Sequence, residues 1–171
     1  NIPAKRADGY ILGFTIMNDF SARHIQWDEM KVKLGPHKGK DFATALGPQM
    51  TLLSEIETKR IKTERGSRWD LKMEAFVNGQ KISHGNLKDM YFTFGEIIER
   101  ASFGTRLYPG ECIGSGTVGS GCFREYNFSQ RQKNPKHQDQ WLKPNDVVVL
   151  KVDQLGELKN NIVLERGNLC T

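Results

Sequence analysis

The chain has 171 residues, of which 37% are hydrophobic and 26% charged, with a formal net charge of +5. This composition is ordinary for one folded domain over residues 1–171 and excludes the low-hydrophobicity class of disordered chains. The basic excess is dispersed, and its densest stretches, residues 30–40 and 59–65, lack the interleaved aromatic side chains of a nucleic-acid groove, so we expect no nucleic-acid partner.

The first predicted element is a strand over residues 9–18, an apolar run that is too short for a typical buried helix. A short helix is predicted to follow it, with Ser21 as its N-cap and Gly35-Pro36 at its end. After a turn at Gly47-Pro48, a second strand is predicted from Gln49 to Leu53.

The middle of the chain contains a charged stretch followed by an alternating one. Residues 54–68 are polar and charged, which indicates a surface connection. Residues 69–85 then alternate between apolar and polar side chains, and Asn78-Gly79 favours the tight turn of a hairpin.

The second half supplies a helix and a terminal hairpin. Residues 87–100 carry apolar side chains at helical spacing, with Asn86 as the predicted cap. Residues 129–140 are predicted to be a polar loop, and the apolar segments 147–152 and 158–164 predict a hairpin. Strands dominate, with about two helices, so we expect a mixed, mainly-β, rolled or sandwich-like fold rather than a wound α/β fold.

The first group of candidate site residues is Asp19, Arg23 and Gln26. If a helix begins near Ser21, Arg23 and Gln26 share the face that points back toward Asp19 at the strand end. A carboxylate suits a hard divalent cation, while arginine and glutamine suit a substrate carboxylate or carbonyl. The alternative is an Asp-Arg pair that only ties a turn.

Two glycine-rich segments add further candidates. Gly39 allows close approach of a ligand, and Lys40 beside it could stabilise an enolate or bind a carboxylate, although it could equally be a solvated loop residue. Residues 114–121 surround Thr117 with glycines and serines, which fits either an anion-binding turn or a flexible connection. This segment matches neither a phosphate loop nor a dinucleotide-binding loop.

Other side chains give no catalytic pattern. Glu55 and Glu57 could share one strand face, but their charged surroundings favour a solvated surface. The histidines lack metal spacing, and the odd number of cysteines (Cys112, Cys122 and Cys170) favours a reducing, cytoplasmic compartment. No apolar run approaches the roughly 20 residues that span a bilayer, so we expect no membrane partner.

Taken in order, the motifs of this chain resemble those of the fumarylacetoacetate hydrolase family. The matching segments are NDFSARHIQ (18–26), GKDFAT (39–44), LGP (46–48), VNGQ (77–80), LYPGECIGSGTVG (107–119) and WLKPNDVVVLKVDQLGELKNNI (141–162).

The resemblance implies the rolled β-fold of that family's C-terminal domain, a homodimer, and a divalent-metal site for Mg²⁺, Mn²⁺ or Ca²⁺ that acts on anionic oxo acids. It assigns the metal ligand to Asp19. It also implies the remaining roles: substrate binding for Arg23, Gln26 and Gly116, and catalysis for Lys40, Thr117 and Glu125.

The chain departs from the family pattern in one respect. Family members complete the metal site with a Glu-x-Glu pair upstream of the aspartate, and the residues before Asp19 contain no such pair. Magnesium usually needs more than one protein ligand. We therefore expect this single domain to be the C-terminal catalytic part of a longer protein.

The expected function is metal-dependent hydrolysis of C–C bonds in β-diketo or acylpyruvate-type acids through a metal-bound enolate. Decarboxylation, isomerisation and sugar-acid dehydration use related enolate chemistry and remain alternatives, as does a catalytically inactive module.

Overall fold

The computed structural model of the chain describes residues 1–164, so Cys170 lies outside the described residues. The strands are β1 Gly13–Phe14, β2 Met17–Asp19, β3 Thr44–Leu46, β4 Thr51–Leu52, β5 Arg60–Thr63, β6 Gly66–Trp69, β7 Lys72–Val77, β8 Gln80–Asn86, β9 Val147–Val152 and β10 Gly156–Asn161. The helices are α1 Ala4–Ala7, α2 Arg23–Met30, α3 Lys38–Asp41, α4 Phe94–Ala101 and α5 Phe123–Lys133, with 3₁₀ turns at Asp8–Tyr10, Leu53–Lys59 and Leu87–Asp89.

The largest sheet is antiparallel, with strand order β10-β9-β7-β8. Both of its hairpins are confirmed, the first predicted from alternation and the second from two apolar segments. In the second, β10 covers Gly156–Asn161 rather than the predicted 158–164. Asn78 and Gly79 have φ angles of 51° and 81°, the left-handed pair that a tight hairpin turn requires. At the second turn, Gln154 and Gly156 also have positive φ.

Smaller antiparallel ribbons surround this sheet, pairing β1 with β4, β2 with β3, and β5 with β6. The core lies where the ribbons, the sheet and α4 meet, and Trp69 and Leu71 are fully buried in it. Phe14 contacts Trp69 edge to face, with ring centroids 4.8 Å apart, and lies 4.7 Å from Phe94. The result is the rolled, mixed and sheet-rich fold that the sequence predicts, with few helices.

The predicted strand over residues 9–18 is wrong in its extent. Its two halves pair with different partners, β1 with β4 and β2 with β3, so the run is broken into two short strands. Residues 4–10 are helical, so the first two residues of the predicted strand are not extended. The Asp8 carboxylate accepts hydrogen bonds from the Ser67 amide and hydroxyl and from Arg60, which fixes this segment on β6.

The helix predicted after Asp19 is confirmed, but Ser21 is not its cap and the helix ends at Met30, before Gly35-Pro36. The Ser21 hydroxyl donates to the Asp19 carbonyl at 3.1 Å, and α2 begins two residues later, after Ala22. The predicted strand from Gln49 to Leu53 is reduced to β4, and β3 was not predicted.

Residues 54–68 are more regular than predicted, because a 3₁₀ turn leads into the β5–β6 hairpin. Ile56 and Ser67 are buried there, so this segment is partly internal although most of its side chains are polar or charged. The predicted polar loop at 129–140 is also wrong in its first part, since α5 continues to Lys133 and only the following residues are irregular.

The helix predicted over residues 87–100 is divided. Asn86 caps a single 3₁₀ turn by accepting from the Lys88 amide, and α4 starts separately at Phe94 with Thr93 as its cap. Tyr91, which the helical stripe placed in the core, is therefore 83% exposed. None of the helices in residues 1–164 has both the length and the apolar character to cross a bilayer.

Candidate functional site

The centre of the site is an ion pair at the end of β2. Asp19 is the last residue of that strand and lies opposite Thr44 of β3, so the ribbon fixes its backbone. The Nζ atom of Lys40 lies 2.5 Å from the Asp19 Oδ2 atom. Both side chains are partly exposed, at 24% for Lys40 and 38% for Asp19, so the pair remains accessible from solvent.

Lys40 reaches Asp19 because α3 packs closely against α2. Gly39 makes this packing possible, since a Cβ atom there would lie 2.9 Å from the Gln26 amide nitrogen. The Ala22 amide donates to the Gly39 carbonyl at 2.9 Å. The glycine predicted to allow close approach of a ligand therefore allows close approach of two helices.

Arg23 and Gln26 share a face of α2, as predicted. The Arg23 Nη1 atom donates to the Gln26 Oε1 atom at 2.7 Å, so Gln26 fixes the direction of the guanidinium. Arg23 lines a large cavity that also reaches Asp19, whereas Gln26 and Lys40 are not part of the cavity wall.

The glycine-rich segment 114–121 has no regular secondary structure, but two close contacts anchor it. A Cβ atom on Gly114 would lie 2.6 Å from the Met17 Cε atom, and one on Gly85 of β8 would lie 2.5 Å from the Val118 Cγ1 atom. Between these anchors Gly116 has a φ of +83°, which favours glycine, and Thr117 is exposed. These glycines place the loop against β2 and β8.

The cavity between this loop, β2 and the largest sheet has a volume of about 1040 Å³. Its wall contains much apolar surface together with charged side chains of both signs: Asp19, Glu74, Glu111, Arg23, Arg124 and Lys151. Gly116 and Thr117 also line it. Such a mixed wall suits a small organic acid with an apolar portion.

The structure separates the remaining predicted residues from this wall. Glu125 lies exposed in the first turn of α5 and does not line the cavity. Glu55 accepts a hydrogen bond from the Leu52 amide at 2.8 Å, and Glu57 pairs with Arg60 at 3.4 Å. The Glu-x-Glu pair is thus occupied with local surface contacts, as the solvated interpretation predicts.

A divalent-metal site needs several ligands, and of these the described residues provide Asp19 alone. Within residues 1–164, no three histidine, cysteine, aspartate or glutamate side chains lie close enough together to hold a metal ion. Asp19 is a suitable hard oxygen ligand, but its nearest charged neighbour is the ammonium group of Lys40. The described residues alone do not form a complete metal site.

Two residues of this region were missed from the sequence. The Arg124 guanidinium lines the cavity and lies 5.8 Å from the centre of the Trp27 ring, a contact between distant segments that no local pattern predicts. Glu29 accepts hydrogen bonds from three backbone amides at the start of α3. Partial burial raises the pKa of Glu29, but the amides of Gly39, Lys38 and His37 outweigh it and hold the pKa below its ordinary value.

Residues 1–163 match the family model described as the fumarylacetoacetate (FAA) hydrolase C-terminal domain. The chain belongs to the fumarylacetoacetate hydrolase family. It is 32% identical over 164 residues to the oxaloacetate tautomerase YisK of Bacillus subtilis, covering 94% of this chain and 46% of that protein. It is 31% identical over 136 residues to a fumarylacetoacetase of Emericella nidulans, covering 66% of this chain and 31% of that protein. The chain thus spans half or less of the length of these two relatives.

Solved structures show the same fold. A putative HpcE protein from Mycobacterium smegmatis superposes with a TM-score of 0.70 at 25% identity, over 96% of this chain and 53% of that one. A fumarylpyruvate hydrolase from Pseudomonas aeruginosa, solved in complex with Mn²⁺ and pyruvate, gives a TM-score of 0.70 at 20% identity, over 96% of this chain and 59% of that one. Relatives of this family are enzymes, including hydrolases and isomerases.

Proposed function

We propose that the protein carrying this chain acts on small β-diketo or acylpyruvate-type oxo acids through an enolate, and that its reaction is C–C bond hydrolysis. The observation that carries this proposal is the ion pair between Lys40 and Asp19, because Asp19 lines a cavity whose wall also contains Arg23. A cation beside the reacting carbonyl stabilises the negative charge that develops on an enolate oxygen.

The other residues of the cavity have roles that follow from their chemistry. Arg23, oriented by Gln26, offers a planar set of donors for a substrate carboxylate. The loop of Gly116 and Thr117 offers backbone amides and a hydroxyl to a second oxygen of the substrate. The apolar wall accommodates the rest of the acid and excludes water from it.

Dependence on Mg²⁺, Mn²⁺ or Ca²⁺ is part of the proposal, with Asp19 as the ligand from this chain. When bound, such an ion polarises the substrate carbonyl as a Lewis acid. The further ligands lie outside the set that the described residues provide.

Tautomerisation or isomerisation of an oxo acid is the second candidate. Hydrolysis needs a general base that activates water, and Glu125, the residue assigned to this step by family resemblance, lies exposed and away from the cavity wall. Enolate chemistry without water needs no such base. The tautomerase match over 94% of the chain also favours this candidate.

The deciding experiment is a panel assay of the whole protein. Acylpyruvates, oxaloacetate and deoxy-sugar keto acids are each incubated with Mg²⁺ and with Mn²⁺, and products are identified by NMR. Cleavage products support hydrolysis, and keto–enol exchange without cleavage supports the second candidate.

The variant Asp19→Asn tests the site, with Asp28→Asn as its matched control. Asp28 also pairs with a lysine, Lys31 at 2.6 Å, but on the exposed surface of α2 away from the cavity. We expect D19N to lose turnover and metal-dependent stabilisation and D28N to keep both. Retention of full metal-dependent turnover by D19N would contradict the assignment.

A homodimer and a cytoplasmic location complete the proposal. Tyr10 and Leu12, beside β1, are 69% and 68% exposed, which is unusual for apolar side chains at the edge of a cavity. Sedimentation of the whole protein tests the dimer. The odd number of cysteines supports the cytoplasmic location, and cell fractionation tests it.

A further inference from the structure

The carboxylate of Glu29, near the end of α2, is bound by consecutive backbone amides. Its Oε1 atom accepts from the Lys38 amide at 2.6 Å, and its Oε2 atom accepts from the His37 and Gly39 amides at 2.9 and 3.0 Å. The first amides of a helix have no partner inside that helix, so they need an acceptor of this kind. Glu29 therefore fastens the beginning of α3 to the end of α2.

The same short helix is also held at the other end of α2. The Ala22 amide donates to the Gly39 carbonyl, and Gly39 packs against Gln26. The segment that leads into α3 has no comparable support, since residues 31–34 are exposed and Gly35 has a φ of +88°. With these two attachments, the backbone just before Lys40 has a fixed position relative to Asp19.

A fixed backbone matters for Lys40 because its side chain is long and flexible. A lysine loses considerable rotamer freedom when its ammonium group is held in one place, and an exposed ion pair alone compensates poorly for that loss. Because the adjacent backbone is already fixed, less conformational freedom remains for Lys40 to lose when the ion pair forms. Hydrogen bonds from amides to an ionised carboxylate are among the stronger ones, and those to Glu29 hold its pKa below the ordinary value.

We propose that Glu29 is a positioning residue, which holds α3 so that the Lys40 ammonium group stays on Asp19. Glu29 does not touch the cavity, and it acts only through the backbone of residues 37–39. The catalytic consequence of this contact rests on the role proposed above for Lys40. The positioning itself does not, because it concerns the distance between two side chains of the folded chain.

The first test measures the reactivity of the Lys40 amine. The whole protein is acetylated at low reagent concentration, and the ratio of Lys40 to Lys62 modification is read by peptide mass spectrometry. Lys62 is the reference, since it is exposed on β5 and lies outside α2 and α3. We expect Glu29→Ala to raise the ratio about two- to fivefold, the protection that a partly exposed ion pair provides.

Three comparisons make this result specific. D19N should raise the ratio as E29A does, because it removes the partner of Lys40. D28N should leave the ratio unchanged, since Asp28 precedes Glu29 on the same helix but contacts only Lys31. Glu29→Gln retains one acceptor oxygen and the side-chain shape, so it should fall between wild type and E29A, and it serves if E29A does not fold.

Deuterium exchange and kinetics separate this proposal from the proposed function. In E29A the amides of residues 37–39 should exchange faster, and kcat should fall with KM nearly unchanged on any substrate that the panel assay identifies. Faster exchange and a raised Lys40 ratio with unchanged kcat would uphold the positioning and refute the catalytic role of Lys40. An unchanged Lys40 ratio in a folded E29A protein would overturn the positioning proposal.

Discussion

The contact between Gly39 and α2 supports a quantitative prediction for Gly39→Ala. The added methyl group would lie 2.9 Å from the Gln26 amide nitrogen and 3.0 Å from its Cα and Cβ atoms. Two of these atoms are backbone, so α3 must move rather than a flexible side chain. Overpacking of this kind costs about 1–3 kcal/mol, from which the lower entropy of an alanine chain when unfolded returns about 0.4–1 kcal/mol.

Taken at their midpoints, these two ranges give G39A a net destabilisation of about 1.3 kcal/mol. For a chain of this length it lowers Tm by roughly 3–5 °C. Calorimetry of wild type and variant measures it, and Gly9→Ala is the matched control. Gly9 has open space around its Cβ position and no positive φ, so G9A should leave Tm nearly unchanged or slightly raised.

The displacement has a second measurable result. Because α3 carries Lys40, moving it away from α2 separates the ammonium group from Asp19, and substrate turnover should fall in G39A but not in G9A. Equal Tm values for G39A and G9A would refute the packing argument, because the clash at Gln26 would then be absorbed without cost.

Two other predictions concern stability. Thr93→Ala should destabilise the chain by roughly 1–2 kcal/mol in urea unfolding, since Thr93 accepts from the Glu96 amide at 3.2 Å and is 2% exposed, whereas the exposed Thr105→Ala should have little effect. Burial raises the pKa of Asp8, but hydrogen bonds from Ser67 and Arg60 outweigh it and hold the pKa below its ordinary value of 3.8. The stabilisation by Asp8 is thus present at neutral pH and is lost on acidification through that lowered pKa. The difference in unfolding free energy between wild type and Asp8→Asn should therefore shrink below about pH 4. A difference that stays constant with pH would contradict this cause.

Elements with local signals were predictable from the sequence. The Asn78-Gly79 hairpin depends on two residues that adopt positive φ, and the terminal hairpin was indicated by two apolar segments on either side of a short turn. Residues 9–18 show where such signals fail, because an apolar run does not reveal that its halves pair with strands far apart in sequence. The β5–β6 hairpin was missed because its buried residues, Gly66, Ser67 and Trp69, lie amid charged neighbours.

The site was predictable to a similar degree. The proximity of Asp19 and Arg23 could be predicted, because the end of a strand and the start of the helix that follows it are close in space. The contact of Glu29 with the start of α3 could not be predicted, because it depends on the path of the irregular loop after α2. The sequence also could not show that Glu125 lies away from the cavity wall, because this depends on where α5 lies in the folded chain.

The ion pair and the loop at the cavity have very different origins along the chain. Asp19 and Lys40 are 21 residues apart and both belong to the compact segment from β2 to β3, whereas Thr117 reaches the same cavity from the other half of the chain. The ion pair and the loop can therefore be altered separately by mutation. Exchanging residues 107–119 with the corresponding loop of a relative changes one part of the cavity wall and leaves the Asp19–Lys40 pair in place.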